Sequence, residues 1–227
     1  MRKWFDENKI WFETVTAVLL SIASIIVSVN SVIEMKRQTR IIELEMLPKF
    51  TISAHLEKSG RNGDIYDDEN VYVTNNGGYF REFKIEYVTV LNINNFSFST
   101  LKEKNKDIIL INYYSGTAYN AGSIIAPVSI KGYENNLKFN NLLNEYRQRL
   151  SEEDIYGKLW INRYVKITYQ DFLEKKHTEY YKVELIYGSS LINKVIGEKV
   201  FKRKENTIDI VSLDSLNFDL LYSIISE

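Results

Sequence analysis

The chain has 227 residues, enough for one or two domains, and its 44% hydrophobic and 26% charged content is that of a folded protein rather than a disordered one. Its 29 Lys and Arg against 30 Asp and Glu leave a net charge of -1, so no global field draws it onto DNA or RNA, and nucleic acid is not an expected partner. With no cysteine, disulfides, thiolate metal sites and a cysteine nucleophile are excluded together.

Residues 1–13 read as an amphipathic juxtamembrane segment, with Trp4, Phe5, Trp11 and Phe12 where interfacial aromatics belong. From Thr14 to Ile33 there is no charge for 20 residues. At about 1.5 Å per residue such a helix covers the roughly 30 Å hydrocarbon core of a bilayer. A cleaved signal peptide would have a shorter apolar region ending at small residues; here the chain runs straight into EMKRQTR, so a retained transmembrane helix is expected. Arg2, Lys3 and Lys9 precede the span, while Lys36, Arg37, Arg40 and Lys49 follow it. That small excess, with the missing cysteines, favours a single-pass protein whose C-terminal domain is cytoplasmic, and the abundance of Asn, Ile, Lys and Tyr beside only two prolines, a bias of AT-rich bacterial genomes, makes the expected membrane a bacterial inner one; the reversed topology stays open.

Within the span, Thr14, Ala17, Ser21, Ser24, Ser28 and Ser31 fall on one stripe at steps of three and four. Small residues let helix backbones approach, so this seam predicts a homo-oligomer in the membrane. The alternative is a monomeric anchor whose hydroxyls bond their own helix. Residues 34–47 continue the register as a helical stalk, and Pro48 ends it.

Beyond Pro48 the apolar spacing changes from helical period to alternation, so residues 48–227 are expected to form an antiparallel β-sandwich or small barrel with one or two packed helices, a mainly β fold. Strands are expected at Lys49–Glu57 and Val71–Thr74, the latter followed by Asn75-Asn76-Gly77-Gly78, residues that tolerate positive φ and predict a tight hairpin turn. Phe83, Ile85, Tyr87, Thr89, Leu91 and Ile93 mark one face of a long strand. Further strands are read at Phe96–Leu101, Ile108–Tyr114 and Ser123–Lys131, the last demoted to an edge or bulge by Pro127. Leu142, Leu143, Tyr146 and Leu150 share a helical face within Leu137–Leu150. The strongest strand pair runs over Leu159–Gln170 and Glu179–Tyr187, with Leu159, Ile161, Val165, Ile167 and Tyr169 facing one way and Tyr181, Val183 and Leu185 in the partner. The basic stretch EKVFKRKE from Glu198 reads as a solvated hairpin face, and a strand at Thr207–Val211 and a helix at Leu213–Ile225 close the chain.

No residue set predicts catalysis, a cofactor or a metal centre. His55 and His177 are the only histidines; the acidic loop Asp64, Asp67, Asp68 and Glu69 lacks the full spacing of a calcium loop; and neither a nucleophile elbow nor a phosphate-binding glycine loop is present. Among 16 tyrosines, Tyr113, Tyr114, Tyr119, Tyr133 and Tyr164 fall where they could contact a ligand or partner, since a phenol offers a flat apolar face and a hydroxyl. Partial burial in a sheet explains the same residues equally well.

The layout, with VYVTNNGG at Val71–Gly78 and VKITYQD at Val165–Asp171, resembles bacterial single-pass membrane proteins in which an anchor leads through a Leu-Pro boundary into a β-sandwich or β-barrel. It is similar to membrane effectors of antiphage defence. That resemblance implies a non-enzymatic sensor or effector whose soluble domain binds a nucleotide second messenger or a protein trigger while the helices associate in the lipid bilayer. The competing expectation is a tethered binding or scaffold protein.

Overall fold

A computed structural model describes residues 4, 8–60, 65–120, 125–152, 155–205 and 210–226. The chain divides into two units at Met46 and Leu47.

The first unit is one continuous helix, α1 (Lys9–Glu45), of 37 residues and no buried side chain. At 1.5 Å per residue it is about 55 Å long. It is long and apolar enough for a membrane span or a signal sequence. The helical register persists through the expected stalk and stops at Met46, whose N–H still bonds to the carbonyl of Ile42 before Pro48.

The second unit holds two sheets. The first is antiparallel, with β1 (Phe50–Glu57) at one edge, then β2 (Asp68–Asn75), β6 (Val128–Lys131) and β5 (Gly116–Tyr119). The second has six strands: β10 (Ile210–Ser212), β4 (Lys102–Ile111), β3 (Arg81–Ser97), β7 (Ile155–Gln170), β8 (Lys176–Glu184) and β9 (Gly188–Leu191), in that spatial order. All its pairs are antiparallel except β10 on β4. Three helices pack in this unit among the described residues: α2 (Asn135–Glu152), α3 (Lys194–Glu205) and α4 (Phe218–Ser226). Helix and strand over the chain are roughly balanced, so the expectation of a mainly β fold gives way to α+β.

The main core lies between the sheets, around Ile52, Val73, Leu91, Ile130 and Ile167, and is closed by Leu142, Tyr146 and Leu150 of α2 and Phe218, Leu221 and Ile225 of α4. A second cluster joins Val88, Val90, Ile109 and Tyr180 to Phe201 of α3 on the opposite face of the six-stranded sheet. This explains a difference from the sequence reading. Residues 88–93 of β3 are buried without interruption because both faces of that strand are covered, whereas alternation had assigned the core to one face. The stretch EKVFKRKE belongs to α3 and not to a hairpin. Gly197 lets that helix approach: an added Cβ would sit 2.2 Å from Tyr180 Cγ.

Three further expectations are corrected. Asn75–Gly78 is not a hairpin turn, since β2 and β3 lie in different sheets, and neither Gly77 nor Gly78 has positive φ. Instead the segment grips the start of the domain. Lys49 N–H donates to Asn75 Oδ1 (2.9 Å), Asn76 N–H to Lys49 O (2.9 Å) and Gly78 N–H to Leu47 O (3.0 Å). Glycine is required at 77 by close approach, because a Cβ there would lie 2.3 Å from Leu47 O. Pro127 does not make an edge: β6 is central, flanked by β2 and β5, and the proline precedes its first residue. Leu185 lies beyond the end of β8 and is 37% exposed. The start of the strand read at Ser123 and part of that at Thr207 lie outside the described residues.

Candidate functional site

On β7 the odd-numbered residues point inward, and all but one are apolar: Leu159, Ile161, Val165 and Ile167 are joined by Arg163. On β2 the inward register of Val71 and Val73 places Glu69 on the same side. Two charges are thus carried into the core by strand alternation alone. They meet there. The Arg163 Nε and Nη2 groups donate to the two oxygens of Glu69, which also accept from Tyr113 Oη (2.8 Å) and Tyr114 Oη (2.6 Å). Glu69 is 0% exposed and Arg163 8%. Asn135, at the start of α2, holds the backbone of Glu69 by accepting from its N–H (2.7 Å) and donating to its carbonyl (3.1 Å).

This network joins both sheets and the link after β4 through the carboxylate of Glu69, and a helix start through its backbone. Burial pushes the Tyr113 and Tyr114 hydroxyls well above the ordinary phenol range, and the neighbouring carboxylate adds to the effect. Burial by itself lowers the pKa of Arg163; the hydrogen bonds and charge of Glu69 outweigh it and keep the guanidinium protonated. Four donors saturate the carboxylate, which leaves it no free acceptor for a substrate proton. What the arrangement does is fix the relative position of the sheets, since removing one member strands a buried charge. The omission of Arg163 from the apolar face of β7 was the available sequence signal: a charge at an inward position demands an opposite one, and Glu69 is the inward acid of β2.

The five tyrosines singled out by sequence are divided rather than gathered. Tyr113 and Tyr114 are buried in the network just described, Tyr119 and Tyr133 are exposed, and Tyr164 packs against the outer cluster beneath α3. The acidic loop is also divided. Asp67 takes hydrogen bonds from Ser59, Asp68 accepts from Glu134 N–H (2.7 Å), Glu69 faces Arg163, and Asp64 lies outside the described residues. Among the described residues no three His, Asp or Glu side chains converge on a common metal position.

Along the seam of α1, Thr14, Ser21, Ser28 and Ser31 each donate to the carbonyl four residues back, at 2.8 to 2.9 Å, and Thr16 does the same beside them. Ala17 and Ser24 supply two of the accepting carbonyls. The hydroxyls of Thr14, Ser21, Ser28 and Ser31 are therefore satisfied within the helix, while the stripe of small side chains stays exposed along its surface.

A second polar grouping lies at the end of the domain where the chain enters. His177 Nε2 meets Asp171 Oδ2 at 2.8 Å, and its ring stacks on Tyr169 with centroids 5.0 Å apart. Asp171 Oδ1 accepts from the N–H groups of Leu173 (2.8 Å) and Lys175 (2.9 Å). Burial works to raise the Asp171 pKa, but the His177 contact and the two backbone donors hold it below the ordinary carboxylate value. Beside it, Tyr79, Phe80, Arg81, Asp171 and Phe172 line a cavity of about 240 Å³.

Compared with protein-family models, with curated proteins and with solved structures, the chain matches none. Function therefore rests on the two units and their chemistry.

Proposed function

We infer that the chain is a membrane-anchored sensor or effector without chemistry of its own, in which a rigid α+β domain receives a ligand or protein trigger and α1 associates with further copies in the bilayer. One observation carries this reading: α1 has 37 residues, and its apolar side chains from Val18 to Ile33 are 44 to 66% exposed. In water that surface would be strongly unfavourable, whereas in hydrocarbon it needs no protein cover. The locally closed hydroxyls support the same environment, because lipid offers no other partner. Saturation of Glu69 supports a framework role for the most buried charges, so recognition is assigned to the surface. A role in bacterial defence belongs to this proposal through the resemblance in layout.

Membrane fractionation tests the anchor: the full chain should stay in the pellet after alkaline and high-salt washing and enter solution only with detergent. Recovery in the soluble fraction would overturn it. Oligomer formation is tested by crosslinking in membranes, where Ser24→Leu and Ser28→Leu should reduce the multimer and abolish any depolarisation caused by expression; unchanged behaviour of both removes the seam from the mechanism.

A tethered scaffold is the second reading, favoured by exposed Leu191, Val195 and Ile196 at the junction of β9 and α3. A stable protein partner lost on Val195→Glu, with no depolarisation, would select it.

A further inference from the structure

The end of the domain at which the chain enters is built from three segments brought together by tertiary structure. Leu47 and Lys49 are held by Asn75–Gly78, and Phe50 packs its ring against Phe80, Phe83 and Tyr169 at 5.1 to 5.5 Å. Arg81 pairs with Gln170, and Gln170 with Lys176, so the first rung of the six-stranded sheet carries a cation on each side of a neutral residue. The turn from Asp171 to Lys175 closes the same end.

Its surface combines two features. Tyr79 is 68% exposed and Leu173 41%, and Phe172, which shares a cavity lining with Tyr79, is half-buried. Around them stand Lys49, Arg81 and Lys175, none of which has an acidic partner among the described residues, while Lys176 is paired with Glu82 at 3.2 Å. Glu174 is the other exposed acid of this end, and Asp171 is taken up by His177. The backbone is shaped to present these groups: the register shifts between Arg81 and Lys84, and Glu82 and Glu174 both have positive φ, at 48° and 61°. A bulge of this kind turns side chains away from the direction that regular alternation would give them.

We propose that this aromatic and basic end, centred on Tyr79, Arg81 and Lys175, is a docking surface for the headgroups of an anionic lipid bilayer. Tyrosine and flanking cations are the residue types that settle at a membrane interface, the ring at headgroup depth and the charges on phosphates. The cavity lined by Tyr79, Phe80, Arg81, Asp171 and Phe172, about 240 Å³, is of a size to receive one phosphate-bearing headgroup beside Arg81, the Asp171 carboxylate being taken up by His177 and the N–H groups of Leu173 and Lys175. Connectivity favours lipid over other anions: the chain enters this end directly after Glu45, the last residue of a helix long and apolar enough to cross a membrane. The proposal rests on the anchored reading for its setting, but the binding itself belongs to the domain alone.

The test uses the domain from Leu47 to Glu227, whose two core clusters contain no residue before Phe50. Cosedimentation is measured with vesicles of phosphatidylcholine alone and with vesicles containing phosphatidylglycerol. Each basic residue at an anionic surface contributes on the order of fivefold in binding. The bound fraction should therefore be several-fold higher on the anionic vesicles and fall with added salt. Arg81→Glu with Lys175→Glu should reduce it at least about tenfold, and Tyr79→Ser should weaken it without removing the salt dependence. All three positions are exposed, and unchanged circular dichroism confirms folding of the variants. Equal binding to both vesicle types, or an unaffected double variant, overturns the proposal. So does complete competition by inorganic phosphate, which would make the cavity a site for a free anion. Fractionation of the full chain reports on the anchor separately, so a failed anchor and a failed headgroup surface give different results.

Discussion

α1 and the network around Glu69 solve the same problem at opposite ranges. In α1 the hydroxyls of Ser21, Ser28 and Ser31 close on carbonyls four residues back, and no other part of the protein is needed. In the domain Glu69 draws on Tyr113, Tyr114 and Arg163, which are 44, 45 and 94 residues away in sequence. The first arrangement survives in any apolar surroundings and places no constraint on the fold. The second exists only when two sheets and the link after β4 are in place, and it penalises every arrangement that leaves the carboxylate or the guanidinium alone.

The sharpest way to break this comparison is to remove one member of the long-range network. Glu69→Ala or Arg163→Ala should destabilise the Leu47–Glu227 domain by about 3–5 kcal/mol, read from the denaturant midpoint, because each leaves its partner buried and uncompensated. Replacing the pair together, as Glu69→Leu with Arg163→Met, should restore much of the loss. Single variants within about 0.5 kcal/mol of the parent would mean that the network does not join the sheets.

Gly77→Ala should cost about 1–3 kcal/mol, since the new methyl meets the Leu47 carbonyl and the Lys49 N–H. A neutral effect in the same denaturant measurement would show that the entry segment is held loosely.

Titration with base sharpens the comparison further. The folded pKa values of Tyr113 and Tyr114 are raised, and burial also pushes Tyr146 up to about 12. The unfolded chain therefore releases these protons first, and stability should be intact below pH ~10 and decline as pH rises above it. Phenolate absorbance should show Tyr113, Tyr114 and Tyr146 ionising only as the domain unfolds. A single smooth titration with the fold intact would contradict their burial.

The smallest effect is expected in the helix. Ser21→Ala removes one bond that begins and ends within α1, and should leave both the domain midpoint and the helix content unchanged to within about 0.5 kcal/mol.

Much of the fold was legible where a pattern is repeated locally. The apolar run of α1, the helical face of α2 and the alternation of β7 and β8 all declare themselves within a few residues, because period alone separates helix from strand. Less legible was anything set by a neighbour distant in sequence. Asn75–Gly78 has the composition of a hairpin turn, yet its partner is the entering chain and not an adjacent strand. EKVFKRKE reads as a polar face, but Phe201 within it is buried against Val88 and Val90. The parallel pairing of β10 with β4 joins residues 101 apart, and no local signal distinguishes it from an antiparallel edge. For the charge network the sequence did hold a clue in the inward position of Arg163, although the identity of its partner required knowing that β2 faces β7 across the core.

The sequence by itself determined that there is one long apolar helix, that a separate domain begins near Pro48, and that this domain is built around alternating strands. Each of these depends on periodicity and length, which are properties of adjacent residues. Only the tertiary structure decided that Glu69 meets Arg163, that α3 covers the outer face of the six-stranded sheet, and that Tyr79, Arg81 and Lys175 share the end at which the chain enters. Those meetings depend on which surfaces are buried against each other, and burial of one strand on another is fixed by the whole core at once.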